Sequence, residues 1–205
     1  MNIFDYPESR HVRKHGPQGY KDFRQYKPWL RDEFTFRCVY CLCQERWYVN
    51  GQDGFSVDHF LPKKKFPQSE CDYENLFYAC VKCNSLKNEH VLGCDPCKES
   101  FTMHLEAKGD GRVHCKTSTG EKLKDVLRLN RSKLCELRKM LMKVLPVLER
   151  SDRPEDMAML RFWRGFPMDL PDLRKERPPQ GNSRPGGVLD SYFCRRESGF
   201  LPELY

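Results

Sequence analysis

The residues that can do chemistry are concentrated between Cys38 and Lys87. Two CxxC pairs, Cys38/Cys41 and Cys80/Cys83, each offer half of a tetrahedral thiolate site for zinc. The gap between the pairs is longer than in a compact zinc finger, so a closed zinc would hold a sizeable loop. That loop carries the dipeptide Asp58-His59 and an isolated Asn75, and Asn84 follows the last cysteine directly. Asp58 and Asn84 offer a carboxylate and an amide oxygen, ligands suited to a hard divalent ion such as Mg2+ or Mn2+. His59 offers an imidazole whose ordinary pKa lies near neutrality, suited to taking a proton from water. Each of these residues alone has an ordinary structural role. Only their conjunction with four spaced cysteines marks a site.

The positioning elements follow from local pattern. Arg31 to Phe36 predicts a short helix leading into the first knuckle, with Gly16-Pro17 and Lys27-Pro28 breaking anything longer. Arg46 to Asn50 and Phe55 to His59 are β-type runs around an Asn-Gly turn, and Tyr73 to Ala79 predicts a further strand. A helix from about Asn84 to Glu89 completes a strand, loop, strand, helix unit. Strand neighbours point to opposite faces, so Asp58 and His59 can serve metal and water separately. Lys63, Lys64 and Lys65 follow at once, as three positive charges beside the site.

The order CxxC, DHxxP, NL, then CxxCN with a lysine three residues on resembles the HNH endonucleases with a zinc knuckle. The resemblance extends to Asp95-Pro96-Cys97, Phe101 to His104, Asp110-Gly111-Arg112 and Leu127 to Arg131. It also takes in the lead-in from Arg13 to Tyr20 and Trp29 to Phe34. It implies an α+β fold: a zinc-pinned ββα-metal (HNH/His-Me finger) core with an added hairpin and C-terminal amphipathic helices. It implies catalytic roles for His59, Asp58, Asn75 and Asn84. His59 is then the general base, Asp58 and Asn84 hold a catalytic Mg2+ or Mn2+, and Asn75 braces the loop that carries His59. Cys38, Cys41, Cys80 and Cys83 hold a structural zinc. The third position of the motif is Asn84 rather than histidine, an acceptable oxygen ligand for Mg2+. The implied activity is hydrolysis of DNA phosphodiester bonds, leaving 5′-phosphate and 3′-hydroxyl ends. A restriction or phage-defence setting beside a regulatory or targeting protein subunit is implied with it. The rival expectations are a non-catalytic zinc module binding nucleic acid or protein, and an RNA-directed nuclease.

The rest of the chain sets the surroundings. Its 205 residues carry a net charge of +7, which favours an anionic partner such as DNA. Residues 1–31 hold seven Lys or Arg against three acids, with aromatics interleaved. This reads as an arm on which Arg13 and Lys14, with Lys63, Lys64, Lys65 and Lys87 further on, contact nucleic acid. The alternative is rings packed on the core and charges in solvent. No apolar run is long enough to span a membrane, and the N-terminus has no apolar signal region. With eleven cysteines, the clearest in CxxC pairs, this predicts a reduced, cytoplasmic protein.

Four segments are expected: 1–36 a basic arm and lead-in, 37–92 the zinc-bearing core, 93–166 a hairpin and helical extension, and 167–205 a Pro/Gly-rich linker and tail. Cys94 and Cys97 form a third CxxC that can join His90, His104, His114 or Cys115 around a second metal. Leu134, Leu137, Leu141, Val144, Leu145 and Leu148 predict an amphipathic helix from Ser132 to Glu149, kinked or ended at Pro146.

Overall fold

A computed structural model describes residues 3–205, which group into two compact units. One comprises residues 13–39, 43–91 and 166–205; the other comprises residues 3–12, 40–42 and 92–165. The architecture is α+β, with helices beside two small two-stranded sheets.

In the first unit, α1 spans Lys27–Glu33, with Pro28 in its opening positions. The Lys27-Pro28 pair therefore begins a helix where the sequence suggested a break, because a first-turn proline gives up an N–H that has no intrahelical partner anyway. The helix faces inward: Trp29 and Leu30 are buried, and the Arg31 guanidinium donates to buried Glu45 at 3.2 and 2.7 Å. Tyr78 donates to the same carboxylate at 2.6 Å. These bonds hold Glu45 in a 3-10 turn (Glu45–Trp47), and a second turn follows at Gly51–Gly54. The strand expected over Arg46 to Asn50 is thus replaced by turns.

Strand β1 (Phe55–His59) pairs antiparallel with β2 (Leu76–Cys80), in the register Phe55↔Cys80 to His59↔Leu76. Every residue of β2 is buried, and its apolar sequence LFYAC suits a strand covered on both faces. Tyr73–Asn75, expected as strand, is a 3-10 turn capped by the Asp72 side chain. Helix α2 (Val81–Lys87) starts directly at the second knuckle, three residues earlier than expected, with the Cys80 Sγ accepting from the Cys83 N–H at 3.4 Å. It stops at Asn88, whose φ of 46° suits asparagine better than most side chains.

Residues 167–205 read from composition as linker and tail, yet Leu170 and Leu173 are buried, as is Phe166 just before them. Tyr192, Phe193, Leu201 and Tyr205 pack around a cluster of Phe36, Phe166 and Leu170. Burial of these rings offsets the entropy of ordering a Pro/Gly-rich stretch.

In the second unit, β3 (Leu105–Ala107) and β4 (Val113–Cys115) form an antiparallel hairpin. Three helices follow, α3 (Ser118–Val126), α4 (Ser132–Leu148) and α5 (Pro154–Arg164). Leu134, Leu141, Leu145 and Leu148 line the buried stripe of α4, which runs two residues past Pro146. Arg138 also lies in that stripe, with one guanidinium nitrogen donating to the Leu129 carbonyl at 2.7 Å. Gly111 has φ of 83°, and a Cβ there would lie 2.2 Å from the Cys135 carbonyl oxygen, so only glycine lets the hairpin approach α4.

Candidate active site and zinc centre

Antiparallel β1 and β2, followed at once by α2, bring the ends of a long chain segment together. The α2 side chains grip β1: Asn84 Nδ2 donates to Ser56 Oγ at 2.8 Å and to the Val57 carbonyl at 3.2 Å. A carbonyl can only accept, so the amide nitrogen is the end held there and Oδ1 is turned away from it. Asp58, His59 and Asn84 line one open cleft of about 510 Å³, with Phe23, Lys63 and Lys64 among its other walls. Two hard oxygen donors in one cleft fit a Mg2+ or Mn2+ ion better than a thiophilic one.

His59 is 8% exposed, and its Nε2 lies 2.9 Å from the Glu70 carbonyl oxygen. The neutral ring therefore carries its proton on Nε2 and leaves Nδ1 with a lone pair. Burial pushes the imidazole pKa below its ordinary 6.5; the bond to Glu70 opposes this in part, and Lys63 adds to it. The Phe23 ring meets the imidazole edge-to-face at 4.6 Å. A neutral, oriented imidazole is the form a general base requires.

Asn75 spans the loop between β1 and β2. Its Oδ1 accepts from the Leu61 N–H at 2.8 Å, and its Nδ2 donates to the Leu61 and Ser69 carbonyls at 3.1 and 3.0 Å. The loop end that presents the Glu70 carbonyl is thereby tied to the strand end that presents His59. Asp58 is 2% exposed and lies 3.3 Å from the Lys87 Nζ, which also donates to the His59 carbonyl.

The zinc pairs converge as well. Cys38, Cys41, Cys80 and Cys83 are all buried, with their sulfurs within 4.8 Å of one another. Tetrahedral Zn–S bonds of about 2.3 Å place sulfurs roughly 3.8 Å apart, so the cluster fits a closed zinc site. The first knuckle folds tightly, with the Cys38 N–H bonded to the Cys43 carbonyl at 2.9 Å and Leu42 at φ of 62°.

Residues 38–90 match the family model described as HNH endonuclease. They are an HNH endonuclease domain. Such a domain implies metal-dependent nuclease chemistry on nucleic acid. Over 63 residues the chain is 37% identical to the Septu protein PtuB of Bacillus thuringiensis. That match takes in 29% of this chain and 22% of the relative, so the chain spans under a quarter of the relative's length. No solved structure matches the chain.

Around the HNH domain, the expected nucleic-acid contacts divide. Lys63, Lys64 and Lys65 lie on the surface; Lys63 pairs with Glu70 at 3.1 Å, Lys64 with Glu89 at 2.5 Å, and Lys65 donates to the Glu89 carbonyl at 3.3 Å. Exposed pairs of this kind are weak and exchange readily for a phosphate. Lys87 is different. It is fully buried, so the expectation that it meets nucleic acid is corrected: it is an internal counter-ion for Asp58.

Arg13 needs the same correction. It is 7% exposed, donates to the Leu76 carbonyl at 2.8 Å, and stacks among Phe34, Tyr73 and Phe77 at 5.0–5.2 Å. Lys14 is half-buried, 3.6 Å from Asp32 and over the Tyr192 ring at 4.4 Å. Sequence reasoning missed the Glu70 carbonyl, which no side-chain pattern signals. Phe23 was visible only as one aromatic in a basic arm. Among the described residues, no helix is long and apolar enough to cross a membrane.

Proposed function

We propose that this protein is a metal-dependent endonuclease that hydrolyses phosphodiester bonds in DNA. The observation that carries the reading is the His59–Glu70 hydrogen bond, which holds the imidazole proton on Nε2 and leaves Nδ1 as the acceptor. His59 Nδ1 takes a proton from the attacking water, and the Glu70 carbonyl stabilises the imidazolium that results. Asn75 keeps strand end and loop in register, so the base does not swing. Asp58 and Asn84 are the residues that would hold one Mg2+ or Mn2+; such an ion, when bound, offsets negative charge on the phosphate and leaving oxygen. Lys63 and Lys64 steady the phosphates on the cleft rim. The four cysteines would carry zinc with a structural role only. The products on this reading are 5′-phosphate and 3′-hydroxyl ends.

A restriction or phage-defence role beside a targeting protein subunit fits the partial likeness to the Septu protein. The rival reading is a non-catalytic binding module, and one observation favours it: Asp58 already has a cation beside it in Lys87. Incubation with supercoiled plasmid in Mg2+, Mn2+ or EDTA, beside His59→Ala, separates the two. Divalent-dependent nicking or linearisation that falls by about 10²–10⁴ in the variant is expected. A wild type that binds DNA but never cleaves it establishes the binding module, and preferential cleavage of RNA redirects the substrate.

A further inference from the structure

The second unit contains a cluster of metal-binding side chains that the nuclease reading does not use. Cys94, Glu99 and His104 place one ligand atom each within 4.8 Å of one another. Cys94 is fully buried, His104 is 9% exposed, and the Glu99 side chain is about a third exposed. The third CxxC suggests Cys94 with Cys97 as the pair. In the fold, Cys97 is not part of the cluster, and His114 is exposed and faces Asp110 at 3.7 Å.

The backbone holds the three side chains in place. After Gly93 the chain makes one tight turn, in which the Asp95 carbonyl accepts from Lys98 and Glu99 at 2.9 and 3.0 Å. The Asp95 side chain accepts from the Cys97 N–H at 2.9 Å. This turn brings Glu99 round to Cys94. His104 closes the following 3-10 turn (Phe101–Met103), and its carbonyl accepts from the Lys116 N–H at 2.8 Å. Gly120 lets α3 sit against that carbonyl, since a Cβ there would lie 2.2 Å from the oxygen.

The imidazole is oriented from behind. Its Nδ1 lies 2.7 Å from Thr117 Oγ1, the same hydroxyl that caps α3 by accepting from the Gly120 N–H at 3.1 Å. Its Nε2 faces Glu99 Oε2 at 3.2 Å. A histidine bonded at one ring nitrogen by an outer partner, with the other turned towards acidic ligands, is the usual arrangement of a metal-bound imidazole.

We propose that Cys94, Glu99 and His104 form a second metal site, for a borderline divalent cation of the zinc class. A thiolate, a carboxylate and a neutral imidazole carry a charge of −2, which a divalent ion neutralises. The sulfur and nitrogen donors disfavour Mg2+ and Ca2+. With three protein ligands, a fourth position is left for water, and the partly exposed Glu99 marks the entry path. A bound ion ties the 94–99 turn to the start of α3 through His104 and Thr117. The site shares no residue with the four-cysteine cluster and stands whether or not the HNH domain cleaves DNA.

The test counts zinc in the full chain. Native mass spectrometry and elemental analysis after zinc saturation are expected to give two ions per chain in the wild type. His104→Ala and Cys94→Ser are each expected to give one, with unchanged far-ultraviolet circular dichroism. Glu99→Gln, which keeps the side-chain shape, covers the case in which either variant fails to fold; there zinc bound outside the four cysteines should weaken by at least about tenfold against a chromophoric chelator. With Co2+ in place of zinc, the one-thiolate spectrum should vanish in Cys94→Ser while the four-thiolate bands persist. A single zinc in the saturated wild type, or two retained in a folded His104→Ala, overturns the proposal in favour of a hydrogen-bonded Cys–Glu–His cluster.

Discussion

Replacing Lys87 by methionine tests whether the cation beneath β1 and the cation proposed in the cleft act on the same carboxylate. Lys87 is fully buried and Asp58 is 2% exposed, with 3.3 Å between them. Methionine fills most of the lysine stem but leaves a buried carboxylate without its counter-ion, a loss of about 3–5 kcal/mol. In a chain of this size each kcal/mol moves the midpoint of thermal unfolding by about 2–4 °C, so a fall on the order of 10 °C is expected. Magnesium should then matter more to the variant than to the wild type, because a divalent ion at Asp58 replaces the missing charge. The assay is thermal unfolding followed by circular dichroism in zinc-replete buffer, across a Mg2+ titration, for both proteins. A loss below about 1 kcal/mol would show that the buried pair contributes no more than a surface pair. A full loss with no extra response to Mg2+ would remove Asp58 from the proposed metal site.

Further outcomes follow from the same geometry. Asn75→Ala strands the Leu61 N–H and the Leu61 and Ser69 carbonyls, so a loss of roughly 1–3 kcal/mol is expected, with faster proteolytic cutting between residues 60 and 75. Lys63→Ala with Lys64→Ala should lower the salt dependence of DNA binding by about 0.9 for each phosphate that is no longer neutralised. Arg13→Met should leave that slope unchanged and lower stability instead, because its guanidinium is spent inside the fold. The His59 pKa is depressed by burial, so the neutral base is fully present above 6.5 and is lost only as pH falls through the lower folded value. The acid limb of the cleavage rate should therefore lie below pH 6.5, a bound divalent cation acting in the same direction. Phe23→Ala, which opens the imidazole to water, should move that limb back towards 6.5; an unmoved limb in a folded variant would dissociate Phe23 from the base.

What the sequence determined by itself is local. Two CxxC pairs read as a thiolate cluster because each pair is two ligands on one tight turn, and only the meeting of the turns had to be supplied by the fold. The order β1, loop, β2, α2 was legible for the same reason: an alternating FSVDH run, a Pro-containing loop, a wholly apolar LFYAC and a cysteine cap each act within a few residues. The leucine stripe of α4 needs only the helical period. Tertiary structure decided what each charge faces. Lys87 and Arg13 look in sequence like any other basic residue, but burial makes one a counter-ion and the other a cation stacked among rings. Chain spacing favours Cys94 with Cys97, whereas the turn at Asp95 and the close approach at Gly120 group Cys94 with Glu99 and His104 instead. Desolvation and electrostatics depend on neighbours brought from distant parts of the chain, so no local pattern can carry them.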